Sequence, residues 1–195
     1  MYNRLQKAGA LSGCIGNLGV NTFCTYKGVS FVLSGAGTEG INHSDFMTSA
    51  FAVFGSIWRI AAWHKNQHLM QLGLKRKKSH TKKKKCKIIF FQIKGDKLDE
   101  TGWKVYETAR MNGAIIATGH EHSYCRSKPM TDFETQTFEN VSTNFLVGSG
   151  KTYVHVTGTG GRPIRPCTDN SQYQPWWAVA LCNNVSKNYS SAIDF

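Results

Sequence analysis

The sequence predicts an α/β fold, and three observations carry that expectation. Ala114-Ile115-Ile116-Ala117-Thr118 is an apolar run closed by Gly119, which reads as a central strand. Ile57-Trp58-Arg59-Ile60-Ala61-Ala62 reads as a second strand running into a loop. Between them, Trp103, Val105, Tyr106 and Ala109 read as a helix over 97–111, with Asp96 or Asp99 as its N-terminal cap and Asn112-Gly113 as its stop signal. A glycine loop and a helix around 45 to 54 precede the strand at 57 to 62, and a helix is expected at 65 to 72.

Composition places the chain among globular proteins. Its 195 residues with 41% hydrophobic content suit one domain, and no run of 18 or more apolar residues could span a membrane. The N-terminus lacks an apolar core of signal-peptide length, as expected if the true start lies upstream. Four N-x-[ST] sequons, at Asn42, Asn140, Asn184 and Asn188, would suit a secretory protein, although compartment stays open. The six cysteines show no C-x-x-C spacing, so neither a zinc knuckle nor a thiol-exchange motif is indicated. Cys167 and Cys182 bracket Trp176-Trp177 and would be either a disulfide or two buried thiols; Cys125 is assigned no chemistry.

The most informative stretch is Gly119-His120-Glu121-His122-Ser123-Tyr124-Cys125-Arg126. Two histidines at i and i+2 follow the central strand, and sites on α/β sheets sit beyond such strand ends. In an extended segment alternate side chains share a face, so both imidazoles could enter one cleft and reach two ions about 3.5 to 4 Å apart. A pair of ordinary loop histidines is the alternative for these two residues taken alone.

The spelling G-H-x-H-x-Y-x-R resembles the last metal-binding motif of the calcineurin-like metallophosphoesterases, most closely that of the purple acid phosphatase branch. The resemblance implies that His120 binds one metal and His122 the other. It also implies a third ligand, His64, in Trp63-His64-Lys65-Asn66-Gln67, because that family places a metal-binding histidine just after such a strand. His68 could share a helical face with His64, but no Glu follows His64 to make H-E-x-x-H, and His68 reads as surface.

The likeness continues along the chain. Asn21 to Gly28 with Val29 to Ser34 is similar to the family's hairpin after its third metal motif, at about 21 to 35, and Tyr2 to Gln6 resembles the helix behind that motif, near residues 2 to 7. Lys151 to Gly161 is similar to the strand and glycine turn that follow G-H-x-H, within a mainly β tail. The family's D-x-H, G-D-x-x-D and G-N-H-[DE] do not precede the hairpin. Residues 1–195 therefore look like the C-terminal half of one domain, a partial α/β/β/α sandwich that would leave sheet surface exposed. Gly95-Asp96-Lys97-Leu98-Asp99 spells G-D-x-x-D, but between His64 and His120 it reads as a helix cap; Gly40-Ile41-Asn42-His43 reads as loop.

By resemblance, the chemistry is metal-assisted hydrolysis of a phosphoester with two ions, Fe, Zn or Mn, and the substrate class is phosphorylated small molecules or other phosphoesters. His64 and His120 would hold one ion and His122 the other. Tyr124 and Arg126 would brace the loop, with Arg126 able to help bind phosphate. Glu121 is the candidate acceptor for an imidazole N–H if the loop turns it inward. With three imidazoles and no family carboxylate or asparagine, the chain alone is expected to bind one ion weakly, without turnover.

Net charge is +12, and nine basic residues lie between Lys75 and Lys87, which leaves +3 for the remainder. The segment 74–93 reads as an insertion, solvated and disordered, between the helix ending at Gln71-Leu72-Gly73 and Lys94-Gly95-Asp96. Its lysine codons would be A-rich, and Ile88-Ile89-Phe90-Phe91-Gln92 would come from a T-rich tract able to end in CAG, the look of a retained intron. The alternative function is a non-catalytic basic module, in which Lys75 to Lys87 engages nucleic acid or an acidic partner.

Overall fold

A computed structural model describes residues 14–53, 55–72, 99–161, 163–165 and 174–181. The expected helix at 2–7, the basic segment 74–93, Asp96, Cys167 and Cys182 lie outside the described residues. The short strand β1 (Cys14–Asn17) pairs antiparallel with β2 (Asn21–Tyr26), which forms the expected hairpin with β3 (Val29–Ser34). Lys27 and Gly28 close that hairpin with φ of 46° and 81°. Two left-handed residues are what a tight turn needs to match the twist of the flanking strands. A disulfide joins Cys14 to Cys24, which face each other across the β1–β2 ladder.

Helix α1 (His43–Val53) opens immediately after Asn42, whose φ is 59°, so the Gly40-Ile41-Asn42-His43 stretch is loop only as far as Asn42. The His43 ring is held by Asn21 Oδ1 at 2.8 Å and Ser34 Oγ at 3.0 Å. The two expected strands follow as β4 (Trp58–Trp63) and β5 (Ile115–Thr118), with helix α2 (Lys104–Met111) between them. The tail is β, as expected: β6 (Tyr124–Ser127), β7 (Met130–Asp132), β8 (Thr137–Phe138), β9 (Val154–Thr157) and β10 (Trp177–Leu181).

Eight strands form one sheet in the order β1-β2-β3-β4-β5-β9-β6-β10, and β7 with β8 makes a separate pair. The middle of the sheet is parallel, from β3 through β4 and β5 to β9, while both flanks are antiparallel. Parallel strands bring their C-terminal ends to one side, which is where a site on such a sheet is built. Among the described residues no helix is long and apolar enough to cross a membrane.

Two helical expectations need correction. Residues 65–72 form only a 3₁₀ turn, His68–Met70. Gln67 is extended, at φ −66° and ψ 141°, and its side-chain oxygen accepts from Leu69 N at 2.6 Å. Asn66 donates to the Gly119 carbonyl at 2.6 Å, so polar side chains here are engaged in bonds that a helix would break. The helix expected over 97–111 begins at Lys104 instead. Asp99 Oδ1 accepts from the backbone N–H groups of Thr101 (3.1 Å) and Gly102 (2.8 Å), forming an Asx turn, and Gly102 at φ 66° ends it before the helix starts. The stop is where the sequence places it, with Gly113 left-handed at φ 62°.

The core lies between the sheet and the two helices. Phe23, Val32, Ala61, Trp63, Ile116 and Val156 point from the strands toward Met47, Phe51, Val105, Tyr106 and Ala109 of the helices, all of them buried. Period-two burial along β5 and β6 reflects that single apolar side. On the other side, Cys24, Phe31, Ile60 and Ile115 stand in one register row, half-buried, beside Leu33 and Trp58, which are exposed.

Candidate metal centre

The site begins with register. Trp63, the last residue of β4, pairs with Thr118, the last residue of β5, so the loops that follow leave the sheet side by side. Gly119 N donates to the His64 carbonyl at 3.2 Å, and Asn66 Nδ2 donates to the Gly119 carbonyl at 2.6 Å. Tyr106 braces the same loop from beneath: its hydroxyl accepts from Gln67 N at 3.2 Å and donates to Asn66 Oδ1 at 3.4 Å. The phenol is fully buried edge-on to Trp63, and burial drives its pKa far above the usual tyrosine range, so it stays a neutral donor.

At the junction of the two loops, His64 Nε2 and His120 Nδ1 stand 3.0 Å apart, with ring centroids 4.8 Å apart and the planes at 68°. This pair is the one that the resemblance assigns to a single ion. His120 reaches it from a left-handed backbone, φ 60°, a conformation uncommon outside glycine and a frequent mark of functional loops. The left-handed residue also removes the extended geometry by which His120 and His122 would share one face. Strict alternation stops there, and the segment is a chain of bends.

His64, His120 and His122 do not assemble into a three-donor set. Among the described residues, no group of three or more His, Cys, Asp or Glu is arranged to hold an ion. His122 is half-buried, and its carbonyl accepts from Arg165 N at 2.8 Å. His68 is exposed, with Nδ1 2.9 Å from Gln67 Nε2, and it takes no part in the pair.

Glu121 is turned into the protein and is fully buried, with Arg165 Nη1 3.2 Å from Oε2. That inward turn is the condition under which Glu121 can accept from an imidazole N–H. A second carboxylate, which the sequence did not single out, stands at His120: Glu100 Oε2 lies 3.2 Å from His120 Nε2 and Oε1 lies 2.6 Å from Lys65 Nζ. Gly158 shapes the other side of the motif loop, because a Cβ there would overlap the Glu121 carbonyl oxygen.

Tyr124 and Arg126 alternate along β6 with buried Cys125 and Ser127. The Tyr124 ring meets His155 edge-on at 5.0 Å, and the Arg126 guanidinium lies 4.7 Å above the Phe145 ring while Nη2 donates to the Ser142 carbonyl at 3.1 Å. Both residues thus hold neighbouring segments in place. The Cys125 thiol is buried, and burial followed by the Glu121 carboxylate pushes its pKa well up, which keeps it protonated and unreactive.

No family model matches this sequence, and no curated protein sequence matches it. Among solved structures, the chain is similar to a purple acid phosphatase isolated from yellow lupin (Lupinus luteus) seeds, with a TM-score of 0.54 and 14% identity over 84% of this chain and 26% of that one. A structure of PhoD matches with a TM-score of 0.41 and 11% identity, over 74% of this chain and 30% of that one. The chain thus spans about a quarter of the length of the lupin protein. At this identity the likeness is one of fold: a mixed α/β unit with one large sheet and few helices, similar to part of the purple acid phosphatase structure.

Proposed function

We propose that this chain carries the histidine side of a metal-dependent phosphoesterase site, with phosphate esters as the substrate class. The observation that carries the reading is the convergence of His64 Nε2 and His120 Nδ1 at 3.0 Å, at the C-terminal ends of adjacent parallel strands. The fit to an ion can be tested on that distance. Zinc–nitrogen bonds of about 2.0–2.1 Å at a tetrahedral angle hold two ring nitrogens about 3.3–3.4 Å apart. Opening the pair by a few tenths of an ångström would make it a two-imidazole seat.

Fe, Zn or Mn are the candidate ions, with His122 reserved for a second one. Bound ions of this kind polarise a phosphoester and lower the pKa of a coordinated water, which is the chemistry the reading requires. The protein's own part is orientation. Asn66 and Tyr106 fix the His64 loop against Gly119, and His120, left-handed in its backbone, sets its ring against His64. Arg126 is the candidate phosphate contact, by virtue of a fixed positive charge on the strand that follows the motif.

The protein as its cells make it, incubated with an aryl phosphate and Zn or Mn, should show turnover that a chelator removes and added ion restores. His120→Ala should lower that turnover at least 100-fold. The 195-residue chain by itself should bind an ion without turning over. Absence of turnover in the natural protein, together with a steep loss of RNA or DNA affinity between low and moderate salt, would instead favour the basic segment Lys75 to Lys87 as the working part.

A further inference from the structure

We infer that Glu100 is a positioning residue for His120, holding the ring by its Nε2–H so that Nδ1 is presented toward His64; the inference rests on the metal-site reading above. Glu100 Oε1 is 2.6 Å from Lys65 Nζ, which fixes one end of the carboxylate. Oε2 is buried and makes no hydrogen bond among the described residues, yet it stands 3.2 Å from His120 Nε2. A buried carboxylate oxygen without a donor is costly, and a carboxylate can only accept. The ring nitrogen facing it is therefore favoured as N–H, and a small rotation of the imidazole closes the bond. The other nitrogen, Nδ1, then carries the lone pair, on the side where His64 Nε2 lies 3.0 Å away.

The backbone delivers Glu100 to this place. Glu100 N donates to the Asn66 carbonyl at 3.4 Å, which ties it to the loop that carries His64. Gly37, at φ 74°, lets the chain pass closely, because a Cβ there would come within 2.6 Å of the Glu100 carbonyl oxygen. One carboxylate thus links the Lys65 side chain, the His64 loop and the His120 ring. Partners of this kind fix the tautomer and orientation of metal-binding histidines, and their loss lowers metal affinity by about 10- to 100-fold.

The test is proton NMR of the histidine ring N–H signals in the metal-free chain, paired with zinc titration, for the native protein, Glu100→Ala and Glu100→Gln. The native chain should show a downfield, slowly exchanging ring N–H assigned to His120. Glu100→Ala should lose it and bind zinc about 10- to 100-fold more weakly. Glu100→Gln keeps the shape and one acceptor oxygen, so it should retain the signal and most of the affinity. A signal absent from the native chain, unchanged in Glu100→Ala, or lost equally in both variants would overturn the inference. If the native chain shows the signal but takes up no zinc, the metal-site reading fails while the positioning of His120 by Glu100 stands.

Discussion

His64 Nε2 and His120 Nδ1 stand 3.0 Å apart although 56 positions separate them in sequence. The contact follows from parallel pairing: β4 and β5 end in register, and each histidine lies just beyond its strand. A neutral ring-to-ring hydrogen bond needs one imidazole to donate and the other to accept, so the two nitrogens face each other with one proton between them. Replacing that proton by an ion is the change the proposed function requires.

The support beneath the pair can be probed at Tyr106. Its hydroxyl accepts from Gln67 N and donates to Asn66 Oδ1 in a buried setting. Tyr106→Phe should cost about 1–2 kcal/mol, since it leaves the Gln67 N–H without this partner. Urea denaturation gives the stability change, and zinc titration should show weaker binding as the His64 loop loosens.

Gly158 is irreplaceable on steric grounds. A Cβ at that position would overlap the Glu121 carbonyl oxygen, so Gly158→Ala must displace the motif loop. A loss of about 2 kcal/mol or more is expected, read as a fall in the denaturation midpoint.

The Cys14–Cys24 disulfide staples the edge strand β1 to β2. Closing a loop of this length constrains the unfolded chain, and Cys14→Ser with Cys24→Ser should lower stability by about 2–3 kcal/mol. Such bridges persist in oxidising compartments. Thiol labelling of the natural protein, denatured without reductant, should leave both cysteines unmodified.

A pH effect is expected at His155. Burial, and secondarily the Arg126 charge, lower its pKa from 6.5. A base depressed in this way is neutral in the folded chain while the unfolded chain protonates first. Its contribution is therefore fully present above pH about 6.5 and is lost as pH falls through the lower folded value. Between pH 7.5 and 5.5 the native chain should lose more stability than His155→Phe; equal losses would remove His155 as a source.

Much of this architecture is legible in the sequence because apolar runs of four to six residues and left-handed turn residues act locally. Ile115–Thr118, Trp58–Trp63 and the Gly113 stop lie where patterning puts them, and the hairpin of Asn21–Tyr26 with Val29–Ser34 lies where the resemblance implies it. The helix expected at 65–72 fails because Asn66 and Gln67 make specific hydrogen bonds whose partners are remote or depend on a non-helical backbone. The start of α2 fails because Asp99 caps a turn rather than the helix. At the site, His64 and His120 are visible as residues beyond strand ends. Glu100 is not, because nothing local to it signals that it meets a histidine twenty positions later. The direction of Glu121 is hidden for a different reason: one left-handed residue at His120 resets the alternation from which its side would be read.

The most direct test of the central claim is cobalt or zinc titration of the chain, followed by calorimetry and by the visible spectrum of bound cobalt, with His64→Ala and His120→Ala in parallel. One ion per chain is expected in the native protein, with a loss of about tenfold or more in affinity in each variant. No uptake by the native chain, or uptake unchanged in both variants, would contradict the claim.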